Sequence, residues 1–379
     1  MTAPVASSSA NLPLVHIESK APTRIDLAGG TLDIWPIFLL LPEALTVNLG
    51  IDLYAETQLS AFSASPKRPA GLRLVSLDQN TSETLTWEQV NTWNSPPPWI
   101  ELHLKLFRYF YHLADIEFRT WLEQLQVEIG TRAKSPAGAG LGGSSTLSIS
   151  ILGALHRFFH PGIPITPEVR ERLVEIARDT ETTVIRVPAG MQDYYGAAFG
   201  GLQALHWRPV RASRESLSLS SPSLLDSRIA LFYSGQSRNS GINNWALFKG
   251  FVDRDPKVQS LFHSILDSTH ALRKALREGN WDQATSAIHQ EWQARRQLAS
   301  GITTPEIDAA LDAAQKLGSP AGKICGAGGG GCFFITLPDS DPERRQQVIQ
   351  AVESLGPKHL PFQISPQGVT VTQKENSRE

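Results

Sequence analysis

Cysteine is scarce in this chain: of 379 residues only two, Cys325 and Cys332, carry a thiol, too few for a disulfide framework at this length, so a reducing compartment is expected. No run approaches the roughly 18 consecutive apolar residues of a membrane span. The opening stretch M-T-A-P-V-A-S-S-S-A-N has neither the basic nor the apolar region of a secretory leader, and a cytoplasmic protein is the expectation. An excess of one charge is missing too. With 35 Lys and Arg against 37 Asp and Glu, the formal net charge of −2 gives no general attraction to nucleic acid or to an anionic membrane, which points to a small-molecule partner. Internal repeats and low-complexity segments are also absent. What remains is ordinary globular composition, 41% hydrophobic and 19% charged, with length enough for two domains.

Glycine, by contrast, is concentrated. P-A-G-A-G-L-G-G-S-S-T, residues 136–146, places four glycines within six positions ahead of an apolar helical run in which Leu147, Ile151, Leu152, Leu155 and Phe159 share a face. Glycine allows positive φ and a close backbone approach to a ligand. The N–H groups and the dipole of the helix that follows favour an anion, most often a phosphate. The spacing nearly satisfies G-x-x-x-x-G-K-[ST], but without the lysine, so a nucleotide held here needs its compensating charge from Mg²⁺ and from elsewhere in the chain. A turn that merely lets a helix pack closely is the plainer alternative for this loop taken alone.

Around it the chain alternates strands and helices. Residues 1–14 read as a tail, 15–20 and 24–28 as strands divided by a turn at Ala21-Pro22, and 44–48 and 51–59 as further strands. Strand character continues over 73–77 and 84–87, and a helix over 99–112 follows three prolines. Residues 125–130 form a strand feeding the glycine loop. Thr166-Pro167-Glu168 and Thr304-Pro305-Glu306 each combine a capping hydroxyl, a proline suited to the first turn and an acid for the dipole, predicting helices over 166–183 and 304–317. The serine-rich stretch 208–227 reads as an interdomain crossing. After it come a strand over 229–233, the turn S-G-Q-S-R-N-S, helices over 243–251, 256–278, 281–298 and 342–355, and a last strand near 368–372.

A second glycine run, K-I-C-G-A-G-G-G-G-C over 323–332, contains G-x-G-x-x-G at 326–331. The dinucleotide fingerprint requires a helix after it, whereas Cys332-Phe333-Phe334-Ile335 is β-prone; close approach of two backbones is the better reading. For nucleotide-dependent transfer, the sequence offers Asp193 to accept or orient a hydroxyl proton, Arg24 to offset that carboxylate or reach a phosphate, Ser144 as a hydroxyl ligand to Mg²⁺ and Glu181 to complete its coordination. Taken singly, a helix cap, a surface arginine, a second cap and a solvated helix face are the plainer explanations.

In combination the motifs resemble the GHMP small-molecule kinases, the group of galactokinase, homoserine kinase, mevalonate kinase and phosphomevalonate kinase. A-P-T-R-I-D-L-A-G-G-T-L-D, the glycine loop and K-I-C-G-A-G-G-G-G-C are similar to that family's three ordered motifs. R-I-D-L-A-G-G, M-Q-D-Y-Y-G-A-A-F-G-G, the S-G-Q-S-R-N-S turn and H-Q-E-W-Q-A-R-R-Q-L-A-S-G-I-T-T-P-E-I-D resemble the branch of heptose-7-phosphate kinases and the kinase part of fucokinase. The resemblance implies an α/β (α+β) two-domain fold, with a ribosomal-protein-like N-terminal domain over 15–207 and a ferredoxin-like C-terminal domain over 228–379, and with ATP and substrate in the cleft between them.

By the same resemblance Asp193 falls on the catalytic aspartate and Arg24 on the basic residue of the first motif. ATP is held by Pro136, Gly138, Gly140, Leu141, Gly142, Gly143, Ser144 and Ser145, and Mg²⁺ by Ser144 and Glu181. Asp33, Gly29, Gly30, Gly328 and Gly329 are expected at the sugar, and Arg238 at a phosphate already on it. Two departures, Thr31-Leu32 before Asp33 and Tyr194 after Asp193, sit where the sugar would lie. The implied activity is ATP-dependent phosphorylation of a sugar hydroxyl, the anomeric one of a heptose phosphate, fucose or related hexose. Alternatives are another acceptor of the galactose, mevalonate or homoserine type, or a non-catalytic ATP- and sugar-binding regulator.

Overall fold

The computed structural model describes residues 12–217, 223–236 and 241–374. The first sheet is built from β1 (Val15–Ala28), β2 (Leu45–Ser63), β3 (Gly71–Ser76), β4 (Thr81–Leu85), β5 (Leu125–Ala133), β6 (Leu202–His206), β7 (Ser213–Ser216) and β12 (Thr370–Lys374). The second contains β8 (Ile229–Tyr233), β9 (Gly322–Ile324), β10 (Cys332–Thr336) and β11 (Lys358–His359). In the first the order is β12-β1-β2-β5-β3-β4, with β6 on β2 and β7 on β6; in the second it is β11-β8-β10-β9. This is the mixed α/β architecture expected.

Several boundaries differ from the sequence reading. Pro22 does not divide two strands: β1 runs through it, and the missing N–H is absorbed by a register shift between Ala21 and Thr23 in the pairing with β2. The two strands expected over 44–59 are one, β2, because its first half pairs with β6 while its second half pairs with β5. Of the expected interdomain crossing 208–227, residues 213–216 form β7 and hydrogen-bond to β6. The last strand, β12, returns to pair with β1 rather than joining the second sheet.

The helix Gly143–Phe159 packs on β1 and β2 and is surrounded by the helices Pro98–Leu113, Pro167–Ile185 and Gln192–Phe199. Thr166 caps the helix Pro167–Ile185 by accepting from Val169 N, as its sequence predicts. Across the molecule, Pro256–Arg277 and Trp281–Arg295 pack against each other, and both reach β1. A single apolar cluster accordingly extends from Ile25 and Leu49 through Phe232 and Phe333 to Trp292.

The C-terminal chain fixes the helix Gln192–Phe199 by close backbone contact. Gly201 N donates to Ser365 O at 2.7 Å, and a Cβ at Gly368 would lie 2.0 Å from Ala198 O. Gly368→Ala is expected to lower stability by about 1–3 kcal/mol through overpacking, with a matching fall in Tm by calorimetry; an unchanged Tm would show that the contact yields at no cost.

Candidate active site

A cavity of about 560 Å³ lies between the glycine loop, the second glycine run and the start of the helix Gln192–Phe199. Three of the loop glycines, Gly138, Gly140 and Gly142, adopt positive φ, which turns the chain sharply before Gly143 begins the helix. Packing against the second run is tight. Cys332 N donates to Ala139 O at 2.6 Å, and a Cβ on Gly326 would fall 2.9 Å from Gly140 Cα, so the two runs are glycine-rich because their backbones touch.

Arg24, on β1, is buried and ties the site together. Its Nε donates to Asp193 Oδ1 at 2.7 Å and its Nη2 lies 2.5 Å from the same oxygen, while Nη1 donates to Gly140 O at 2.8 Å and Cys325 O at 2.9 Å. Burial alone would lower the arginine's pKa; the carboxylates of Asp193 and Asp26 outweigh it and hold the guanidinium charged. Asp193 stands in the first turn of its helix, with Met191 as the cap, so the capping alternative does not hold. A Cβ at Gly142 would come within 2.9 Å of Asp193 Cγ and 3.2 Å of Oδ2, which puts the carboxylate at the mouth of the loop. Oδ1 is engaged by the guanidinium. Among the described residues Oδ2 has no hydrogen-bond partner.

Glu181, near the end of the helix Pro167–Ile185, is buried rather than on a solvated face. Its Oε2 accepts from Ser145 Oγ at 3.1 Å and Tyr194 OH at 2.6 Å, and Ser144 also hydrogen-bonds it. Burial raises its pKa despite those three donors, and the like charge of Asp193 adds to the rise. Among the described residues no group of three or more His, Cys, Asp or Glu is placed to hold a metal. A hydroxyl and one or two carboxylates completed by phosphate oxygens is the donor set that suits Mg²⁺.

Asp33 is buried in the lining of the same cavity. Its Oδ2 accepts from Gln192 N at 2.9 Å, and a Cβ at Gly190 would lie 2.5 Å from that oxygen. Burial, with Asp193 and Asp26 nearby, pushes its pKa up to about 6. Gly30 and Gly328 line the cavity, whereas Gly29, Gly329 and Leu141 stand behind it. Gly29 N donates to Glu291 Oε1, Gly329 N to Ile302 O, and Leu141 O accepts from Arg24 N. Arg238 lies outside the described residues.

Sequence reasoning missed a buried charge cluster under this wall. Lys323 Nζ is 3.3 Å from Asp26 Oδ2 and 3.1 Å from Glu291 Oε1, and Arg295 Nε donates to Glu291 Oε1 at 2.8 Å. The one available signal was the Glu291/Arg295 spacing of four on a helix. Nothing local reveals that Lys323 or Asp26 would meet them.

The family models fit this architecture at both ends: GHMP kinases N terminal domain over residues 105–201, and GHMP kinases C terminal over 272–358. The chain belongs to the GHMP kinases. Its relatives include D-glycero-alpha-D-manno-heptose 7-phosphate kinase of Campylobacter jejuni, 22% identical over 93% of this chain and 98% of that protein. Another is the L-fucokinase/L-fucose-1-P guanylyltransferase of Bacteroides fragilis, 26% identical over 89% of this chain, which spans only 36% of that protein. Among solved structures, a D-glycero-D-manno-heptose 1-phosphate kinase from Bacteroides thetaiotaomicron aligns with TM-score 0.68 at 22% identity, covering 95% of this chain and 100% of that one. Lactococcus lactis galactokinase complexed with galactose aligns with TM-score 0.72 at 16% identity, covering 94% and 95%. As a GHMP kinase the protein is a phosphotransferase with an alcohol acceptor.

The Asp33 environment predicts its titration. Carboxyl carbon NMR should place the midpoint near 6 rather than at the ordinary 3.8, so that Asp33 is ionised at neutral pH and protonated below about 6; a midpoint at or below 4 would contradict the burial argument.

Proposed function

We propose that this GHMP kinase is an ATP-dependent sugar kinase that transfers the γ-phosphoryl group to a hydroxyl, the anomeric one, of a heptose phosphate, fucose or a related hexose. The observation that carries this reading is Asp193 Oδ2 at the mouth of the glycine loop, without a hydrogen-bond partner among the described residues, with Asp33 lining the same cavity. In the proposed step the acceptor oxygen bonds to the γ-phosphorus as the bridging oxygen leaves with ADP, and the hydroxyl proton passes to Asp193. Loop amides from Gly138 to Ser145 and the helix N-terminus cradle the phosphates. The apolar lining residues Trp99, Leu102 and Val184 suit a nucleobase.

Ser144 and Glu181 are the residues that would hold Mg²⁺, a role supported by a buried carboxylate that no cation pairs with among the described residues. Once bound there, the ion would neutralise charge on the phosphate oxygens. Arg24, with most of its donors committed to Asp193 and to two carbonyls, supports catalysis by fixing the aspartate more than by touching the phosphate. The polyhydroxylated acceptor is favoured by Asp33 and by relatives named for heptose phosphate and fucose. We assign ATP to the 15–207 region, and a reducing cytoplasm fits the two buried free thiols.

Asp193→Asn should lower turnover by about 10²–10⁴ while ATP still binds by calorimetry; unchanged turnover would remove Asp193 from the chemistry. Coupled ADP release across a panel of fucose, galactose and heptose phosphates, with the product position read by phosphorus NMR, tests the whole assignment. Turnover with none of them would overturn it.

A further inference from the structure

The turn between β1 and Asp33 holds a conformation its residues would not choose. Thr31, a β-branched residue, has φ 72°, in the left-handed region, and it lines the cavity half-buried. What holds it is Arg295, from the far end of a helix more than 260 positions along the chain. Arg295 Nη2 donates to Gly30 O at 2.8 Å and Nη1 to Thr31 Oγ1 at 3.2 Å. Its Nε and Nη2 are anchored on Glu291 Oε1 at 2.8 and 2.5 Å, and that carboxylate is itself held by Lys323.

Balancing Glu291 does not require this reach. Lys323 already pairs with both Glu291 and Asp26, whereas the planar fork of Arg295 spans from the acid to the backbone and hydroxyl of the turn. Because Thr31 Oγ1 accepts from the guanidinium, its own hydrogen is directed elsewhere, and it has no acceptor among the described residues. Of the five arginine donors, one on Nη1 is likewise left over beside Thr31 at the cavity wall. Two donors therefore line the same cavity as Asp33, an acceptor.

We propose that Arg295 is a positioning residue that sets acceptor selectivity: through Thr31 it presents a hydroxyl donor beside Asp33, so that one particular hydroxyl of the sugar is recognised. This rests on the sugar-kinase reading for the identity of the ligand, and it accounts for Thr31 as the departure from the family pattern noted in the sequence. Thr31→Gly removes the hydroxyl and also relieves the backbone, so the variant should fold at least as well as the parent.

The test reads sugar binding directly, by calorimetry with fucose, galactose, heptose 7-phosphate and monodeoxy analogues, in parallel with an ATP analogue. Thr31→Gly and Arg295→Lys should each weaken binding of the preferred sugar by about tenfold with ATP-analogue affinity and Tm retained, and Thr31→Ser should restore it. One monodeoxy analogue that the parent discriminates against should be bound by Thr31→Gly as well as the full sugar is. Unchanged sugar affinity in Thr31→Gly overturns the proposal, as does loss of sugar and ATP-analogue affinity in step. If Arg295→Lys does not fold, the Thr31 pair decides alone. A parent that binds a sugar selectively but never phosphorylates it would sink the kinase reading and leave this one standing; a parent that binds none of the sugars removes both.

Discussion

The site depends on one buried guanidinium. Arg24 is the point at which β1, the glycine loop, the second glycine run and the Asp193 helix meet, because a single planar fork satisfies a carboxylate and two carbonyls at once. A lysine offers a point charge and could not bridge the three in fixed directions. Positive charge does reach the lysine-free loop, but it is delivered from β1 to Gly140 O and Asp193 rather than from within the loop.

Beneath that hub lies a second set of charges, Asp26, Glu291, Arg295 and Lys323, all buried. Such a cluster is not a cheap source of stability, since removing charges from water costs several kcal/mol per ion, and a single unpaired member would be strongly destabilising, by about 3–5 kcal/mol. Its effect is geometric. The acids and cations come from β1, from the helix Trp281–Arg295 and from β9, so the set holds together only when the two sheets are docked in one register. The wall that carries Asp33 is therefore tied to correct assembly of the whole molecule.

Opposed carboxylates add a further constraint. Asp33, Asp193 and Glu181 share one cavity, and burial together with mutual repulsion raises the pKa of Asp33 and of Glu181. Carboxylates outnumber guanidinium groups in that lining, which makes the site rich in acceptors. That suits a polyhydroxylated acceptor and a metal-bound triphosphate better than an apolar ligand.

Much of this was written locally. Capping residues at Thr166 and Thr304, alternation in the strands and the glycine spacing each act within a few residues, so the element order, the loop-to-helix junction and the candidates Asp193, Arg24, Ser144 and Glu181 were legible in the sequence. Strand boundaries at Pro22 and within β2 were not, because a neighbouring strand decides whether a bulge or a long strand is tolerated. The return of β12 to β1 was equally invisible. Nor could the chain by itself show that Arg24 spends its donors on Asp193 and two carbonyls, that Tyr194 braces Glu181, or that Arg295 holds Thr31 in a strained turn. Local propensity is a property of neighbouring residues, whereas desolvation and charge pairing arise only when distant segments exclude water from one another.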